Sequence, residues 1–320
     1  MSESEALDEL PRRGFNFDWR RDIIYVGFVV VLLIFSVLLR DEGFLSVASF
    51  WNILRQAAIV SVVAVGMTLV IAAAEIDLSV GSVAGLASVV TAMSLSHFGL
   101  IPGIVAGLAL GAIVGSVNGA LVAFARIPSF LVTLAMMGIT FGIAQWVTKS
   151  APVPILDMNY VANFGGGKIG PIPNLIIWML LFVVAGTILL KKTRFGRQIL
   201  ATGANPVAAE YSGISTSWVR FRVMMLCSMG AAVAGMLYAG RLMSGRFQWG
   251  TGDEMNAIAA VILGGTALAG GRGSVIGTFF GALLMATINY GLILAGLDTS
   301  QQQIIRGLII ILAVALARKN

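Results

Sequence analysis

The chain has 320 residues, 58% of them hydrophobic and 11% charged, with 21 Lys and Arg against 15 Asp and Glu. Soluble domains carry about 25% charged residues, so at a mean hydropathy of +0.92 the bilayer has to be the solvent for most of this sequence. The net charge of +6 does not point to nucleic acid, because the basic residues cluster in loops between apolar runs. One cysteine, Cys227, and one histidine, His97, exclude a disulfide framework, a zinc site and a His-based triad within the chain.

Residues 1–22 read as a cytoplasmic tail, with an acidic tip (Glu3, Glu5, Asp8, Glu9) followed by Arg12, Arg13, Arg20 and Arg21. Ile23–Leu39 runs straight into Arg40-Asp41-Glu42 with no small-residue cleavage site, so it reads as a retained first span rather than a signal peptide. A span needs roughly 20 apolar residues. On that ruler Ile53–Ala74, Ser79–Leu95, Ile101–Phe124, Ser129–Val147 and Leu175–Leu190 follow, then Val223–Tyr238, Met255–Gly270, Val275–Leu294 and Ile304–Ala317. The eighth of these ten is short and glycine-rich, and reads as a broken or re-entrant element, tolerated where it is buried in protein.

With the N-terminus inside, the inner side holds Arg12, Arg13, Arg20, Arg21, Arg126, Lys191, Lys192, Arg194, Arg197, Arg220, Arg222, Arg272, Arg318 and Lys319. The outer side holds Arg40, Arg55, Lys149, Lys168, Arg241, Arg246 and Arg306. This excess places both termini in the cytoplasm. Trp51, Trp146 and Trp249 then fall near outer boundaries.

Gly103, Gly107, Gly111, Gly115 and Gly119 recur every fourth residue, as do Gly273, Gly277 and Gly281. Each set makes a smooth ridge on one helix face, where another backbone approaches closely. Gly111-Ala112 with Asn118-Gly119 matches Gly281-Ala282 with Asn289-Tyr290-Gly291, one residue out of spacing. Spans two to five and seven to ten are therefore expected to form inverted repeats.

Glu75-Ile76-Asp77-Leu78-Ser79 joins the second and third spans. Asp77 fits the N-terminal cap region of a helix, and a gate or partner contact is the alternative reading. Asp253-Glu254 before the eighth segment stands the same way. No acidic residue falls in the middle of a span, which argues against a proton- or sodium-coupled carrier. Neutral polar residues do, among them Thr68, Thr91, Asn118, Thr133, Thr140, Gln145, Thr287 and Asn289. Hydroxylated cargo suits such groups, and so do plain interhelical hydrogen bonds.

The basic loop carries more. Lys191-Lys192-Thr193-Arg194-Phe195-Gly196-Arg197 leads to Asn205-Pro206, a cap and first-turn pair, and Gly213 suits the stop of a short helix Pro206–Ser212. A short rigid helix on a cytoplasmic loop can dock on a partner and transmit its movement; the alternative is a solvated loop that only sets topology. No Walker A sequence accompanies it, since Gly165-Gly166-Gly167-Lys168 has the wrong spacing and no following Ser or Thr.

Glu75-Ile76-Asp77-Leu78-Ser79-Val80-Gly81, Thr193–Arg197 with Ala201–Asn205 and Ala208-Ala209, and Ala257–Gly265 continuing through Gly270–Gly277 stand in the order seen in one family. From about residue 50 onward the chain resembles the permease subunits of bacterial ATP-binding-cassette (ABC) importers of the ribose/xylose/galactose type. Ala73-Ala74-Glu75, where relatives commonly show glycines, and Glu254-Met255-Asn256, where Glu-Leu-Asp is usual, depart from the pattern.

The resemblance implies an all-α polytopic protein of about ten transmembrane helices with an inverted internal repeat. Residues 23–320 would be one permease domain with a cytoplasmic coupling loop, 191–222. It implies a bacterial inner-membrane location and a second permease copy, identical or similar, around a central path for a monosaccharide or related polyol. Its other implied partners are a cytoplasmic ABC ATPase and a periplasmic sugar-binding protein. No cofactor is expected in this chain; ATP and Mg would bind the ATPase, so the chain itself is no enzyme. Arg194, Phe195, Gly196, Arg197, Gly203, Asn205, Ala208, Ala209 and Gly213 would form the ATPase-coupling segment. Glu75, Asp77, Ser79, Gly81, Glu254, Gly264 and Gly265 would be structural or gating, and Asn118, Thr133, Gln145 and Asn289 would line the path. A branched-chain amino-acid permease of the same superfamily, an ion-coupled secondary transporter and a non-transporting channel or scaffold are the rival readings.

Overall fold

A computed structural model describes residues 19–318, and side-chain surroundings for 24–311. The acidic tip with Arg12 and Arg13, and Lys319 at the other end, lie outside the described residues. Nine of the ten apolar segments fall on helices, and the eighth does so only in its first half. Helix α1 spans Trp19–Leu38, α2 Val47–Ala72, α3 Val80–Phe98, α4 Leu100–Ala123 and α5 Ser129–Thr148. After α5, strand β1 (Val153–Pro154), helix α6 (Met158–Val161), a π-helical turn (Ala162–Gly166) and the small hairpin of β2 (Lys168–Ile169) and β3 (Ile172–Pro173) make a compact connection. Then come α7 (Asn174–Lys192), α8 (Arg194–Ala204), α9 (Pro206–Tyr211), α10 (Thr216–Leu242), strand β4 (Ser244–Gly245), α11 (Asp253–Leu263), α12 (Val275–Leu294) and α13 (Thr299–Arg318). Among the described residues, seven helices, α2, α3, α4, α5, α7, α10 and α12, are long and apolar enough to cross a membrane. The protein is an all-α polytopic membrane protein.

The core sits where α2, α3 and α10 meet, and α4, α5 and α7 pack around it with one face outward. The glycine ridge of α4 explains the tightest contact in the bundle. Gly111 and Gly115 lie against the α10 backbone at Ser228, Met229 and Met225, and Gly119 against Phe221, distances that leave no room for a Cβ. The opposite face of α4 exposes Ile101, Val105, Ile113, Val117 and Leu121. In lipid such faces cost nothing, and close backbone approach is what holds helices together. Helix α4 thus packs on α3 and α10, while α12 packs on α11 and α2, with Gly281 against the Ala260 carbonyl. On the outside of α12, Tyr25 of α1 meets Phe280 edge to face at 4.7 Å between centroids.

The eighth segment, Met255–Gly270, expected as a broken or re-entrant element, holds only a short helix: α11 stops at Leu263 after 11 residues, about 16 Å against a hydrocarbon core of about 30 Å. Glycines end it: Gly265, Gly270 and Gly271 all have positive φ, and residues 264–274 run as an irregular loop. Residues 243–252 before it are also largely non-helical and lie along α3, with β4 paired to β1 and the Phe247 carbonyl against Gly85. The segment is therefore half irregular chain and half helix. Helix α10, in turn, is longer than the expected Val223–Tyr238 and takes Arg220, Arg222 and Arg241 into its ends.

Candidate functional site: a capped elbow wedged against two broken connections

The segment expected to couple to a partner folds as two short helices, α8 and α9. Thr193 caps α8 with its Oγ1, which accepts from Gly196 N–H at 3.0 Å while donating to the Leu189 carbonyl of α7 at 2.6 Å. One side chain thus fixes the angle between a spanning helix and the elbow. Helix α8 then buries Gly196 and Ile199 and turns Arg194 and Arg197 outward. Asn205 Oδ1 accepts from Ala208 N–H at 3.0 Å, Pro206 opens α9, and Gly213 (φ +80°) lets the chain leave it.

The elbow has two faces. Val207 is 60% and Tyr211 90% exposed, with Ala208 exposed beside them. Ala209 is buried and faces the bundle. The sequence pairs Ala208 with Ala209, but a helix points neighbouring residues about 100° apart, and only Ala208 is presented outward. Behind the elbow, Glu210 accepts a hydrogen bond from the Thr216 hydroxyl at the start of α10.

Gly203, near the end of α8, lies directly against the Ala72 carbonyl at the end of α2 and the Gly271 N–H, and Gly271 N–H itself donates to Ala72 at 3.0 Å. Three connections therefore meet at one point: the elbow, the 73–79 segment after α2, and the 264–274 loop after α11. A fourth joins them where Arg220 Nε approaches Glu75 Oε1 to 2.9 Å, out of hydrogen-bond alignment but close enough for an ion pair. Burial pushes the Glu75 carboxyl above its ordinary value, and the opposing pulls of Ser129 and Arg220 do not cancel it.

The 73–79 segment is clamped by hydrogen bonds from its neighbours. Ile76 N–H donates to Ser129 Oγ at 3.1 Å and Leu78 N–H to Thr133 Oγ1 at 3.0 Å, both on α5. Asn118 of α4 donates to Ser79 Oγ at 3.1 Å. Asp77 is fully buried; its Oδ1 accepts from Ser79 N–H at 2.9 Å and from Ser79 Oγ at 2.6 Å. It does not cap α3 in the strict sense: Ser79 stands at that position, in αR conformation and without a side-chain cap bond. The carboxylate instead folds the turn that leads into the helix. An acidic side chain is thus buried here without lying in any span.

Residues 49–314 match the family model described as "Branched-chain amino acid transport system / permease component". The chain belongs to that family. This permease is 37% identical over 317 residues to the ribose import permease protein RbsC of Escherichia coli (strain K12), covering 97% of each chain. It is 38% identical over 322 residues to RbsC of Bacillus subtilis (strain 168), covering 100% of this chain and 99% of that one. With the xylose transport system permease protein XylH of Escherichia coli (strain K12) it shares 32% over 353 residues, 91% of this chain and 90% of the other. No solved structure matches it.

The remaining candidate residues of the permease separate into groups. Gly81 lies against the Gly250 carbonyl and the Glu254 carboxylate, so the starts of α3 and α11 meet deep in the protein. Gly264 packs on Gly277 of α12, and Gly265 makes the turn that follows. Asn118 and Thr133, candidates for the path, are both buried in the clamp on residues 76–79. Gln145 is exposed on α5, and Asn289 is half-buried on α12 with no partner for its Oδ1 among the described residues. Sequence reasoning missed Arg220 and Ser129 as partners of the Glu75 segment. The available signal is a basic residue shortly after the elbow, which charge placement assigns to orientation alone.

Proposed function

We propose that this permease forms the membrane path of an ABC importer for a monosaccharide or related polyol, driven by ATP hydrolysis on a separate Mg-dependent ATPase. The observation that carries the reading is the elbow: a doubly capped helix pair, exposed on one face and locked on the other to both irregular connections. A partner seated on Val207, Ala208 and Tyr211 would move α8 and α9 as a unit. Through Gly203 and Ala72, and through Arg220 and Glu75, that movement would reach the 73–79 and 264–274 segments together.

The chain is read as ten crossings in the bacterial inner membrane with both ends in the cytoplasm. Helices α2–α5 and α10–α13 are read as inverted repeats, supported by the reciprocal packing of α4 on α10 and of α12 on α2. A second permease copy would complete the path, and a periplasmic binding protein would deliver cargo to the side that carries β1 to β4. The names of the curated relatives favour sugar over the branched-chain amino acids in the family's description.

Uptake of labelled D-ribose, D-xylose, D-galactose and L-leucine by cells carrying the complete system tests this. Uptake of a sugar that stops on ATP depletion and survives an ionophore supports the reading. Uptake that collapses with the ion gradient would return the secondary transporter, and uptake of leucine alone would return the amino-acid permease.

A further inference from the structure

A second polar cluster sits at the far end of α10, about 33 Å from the elbow at the helical rise, and the coupling geometry makes no use of it. The Tyr238 hydroxyl donates to Asp253 Oδ2 at 2.7 Å. Its ring stacks on Trp249, with centroids 6.3 Å apart and planes at 21°. Asp253, at the first position of α11, is 5% exposed, and Asn256, one turn on, is 4% exposed. Asn256 Nδ2 reaches Asp253 Oδ1 at 3.4 Å, while Asn256 Oδ1 has no hydrogen-bond partner among the described residues.

Buried polar atoms are almost always paired, and an orphan amide oxygen beside a buried carboxylate is costly unless something else fills the place. The setting points to a ligand. Irregular backbone at membrane depth is tolerated where it is packed in protein or lines a cavity, and helices broken at that depth mark binding sites in transport proteins. Here residues 243–252 bring the chain in, and α11 begins at the cluster. Gln248 and Thr251, on the same segment, are exposed and give a rim.

The chemistry fits a neutral polyhydroxyl ligand. Asp253 and Asn256 lie three apart on one helix face, the spacing of neighbouring side chains, and together offer acceptors and an amide donor to adjacent hydroxyls. The Tyr238–Trp249 stack offers a flat apolar wall for the C–H face of a sugar ring. Charge disfavours a cation: Arg246 lies 5.4 Å from the Trp249 ring centroid, and Arg241 and Arg306 act on Tyr238, against the carboxylates of Asp253 and Glu254.

We propose that Tyr238, Trp249, Asp253 and Asn256 form a cargo-reading site that discriminates among polyols by their hydroxyl pattern. The proposal rests on the import reading above. The test is uptake of labelled D-ribose, D-xylose and D-galactose by cells carrying the complete system, at matched permease levels. A site built to hydrogen-bond a hydroxyl discriminates strongly, so Asn256→Asp and Asp253→Asn are expected to change the ratio between two sugars by about tenfold or more. Trp249→Ala should lower uptake of all three and Trp249→Phe restore it.

Ratios unchanged across these variants, with wild-type uptake intact, would overturn the proposal and leave the import reading standing. No uptake of any sugar by the wild type would sink the import reading first. If the substitutions keep the permease from the membrane, Thr251→Cys at the rim takes their place, the native Cys227 being buried. Protection of that thiol from a maleimide by one of the three sugars supports the site, and equal labelling with and without each of them overturns it.

Discussion

Glu75 and Arg220 face each other across the junction of the bundle, 2.9 Å apart, and tie the segment after α2 to the first turns of α10. The pair is half sheltered, so its value lies in geometry more than in energy: a buried or partly buried ion pair often only offsets its own desolvation. It gives the elbow a second route to the 73–79 segment besides the backbone contact at Gly203.

The raised Glu75 carboxyl sets the sign of a pH effect. A group whose folded value lies above its unfolded one adds stability below the unfolded value, and that addition is lost as pH rises through the folded value. Glu75→Gln lacks this titration. Its thermal stability relative to wild type is therefore expected to improve from pH 5 to pH 7.5, read by melting the purified permease in detergent. A variant that loses ground as pH rises would mean that the ion pair outweighs burial.

Ala74 occupies left-handed backbone, φ +63°, at an exposed position where the chain leaves α2. An L-residue there carries about 1–2 kcal/mol of strain, partly offset by glycine's freer unfolded chain. Ala74→Gly is expected to raise the melting temperature modestly, a net gain of up to about 1 kcal/mol. No change, or a fall, would show that the strain is relieved by local adjustment.

Gly203 and Gly138 are both glycines within helix or elbow, but only one is a contact. A side chain at Gly203 would strike the Ala72 carbonyl and the Gly271 N–H, whereas Gly138 has nothing within 4 Å. Gly203→Val is expected to cost about 1–3 kcal/mol by overpacking and to lower transport further than the lost stability explains. Gly138→Ala should be neutral in both melting temperature and uptake. Equal effects would remove Gly203 from the junction.

Much of this was legible in the sequence, unevenly and for physical reasons. Apolar length marks spans because every backbone group in lipid must be satisfied within a helix. Gly103 to Gly119 announced a close contact by spacing alone, and Asn205-Pro206 with Gly213 announced a short helix by capping chemistry. What spacing cannot carry is direction. Asn118 and Thr133 are polar residues in spans whichever way they point, and they turn out to clamp residues 76–79. Ala208 and Ala209 read alike, yet only one faces outward. The Tyr238–Asp253 bond was not visible either, since it depends on how the irregular 243–252 segment folds back along α3. The end of α11 at Leu263 was foreshadowed by its glycines, but the stopping residue was set by packing of Gly264 on Gly277.

The most direct test of the account is purification of the tagged permease from its native membrane, comparing wild type with Ala208→Asp. Ala208 is exposed, unlike the buried Ala209, so the variant should fold and melt like wild type. An ATPase that accompanies the wild type and is lost from Ala208→Asp is the expected result. An ATPase retained equally by both would take the docking surface away from α9, and none with either would contradict the ATP-driven import that the elbow is taken to serve.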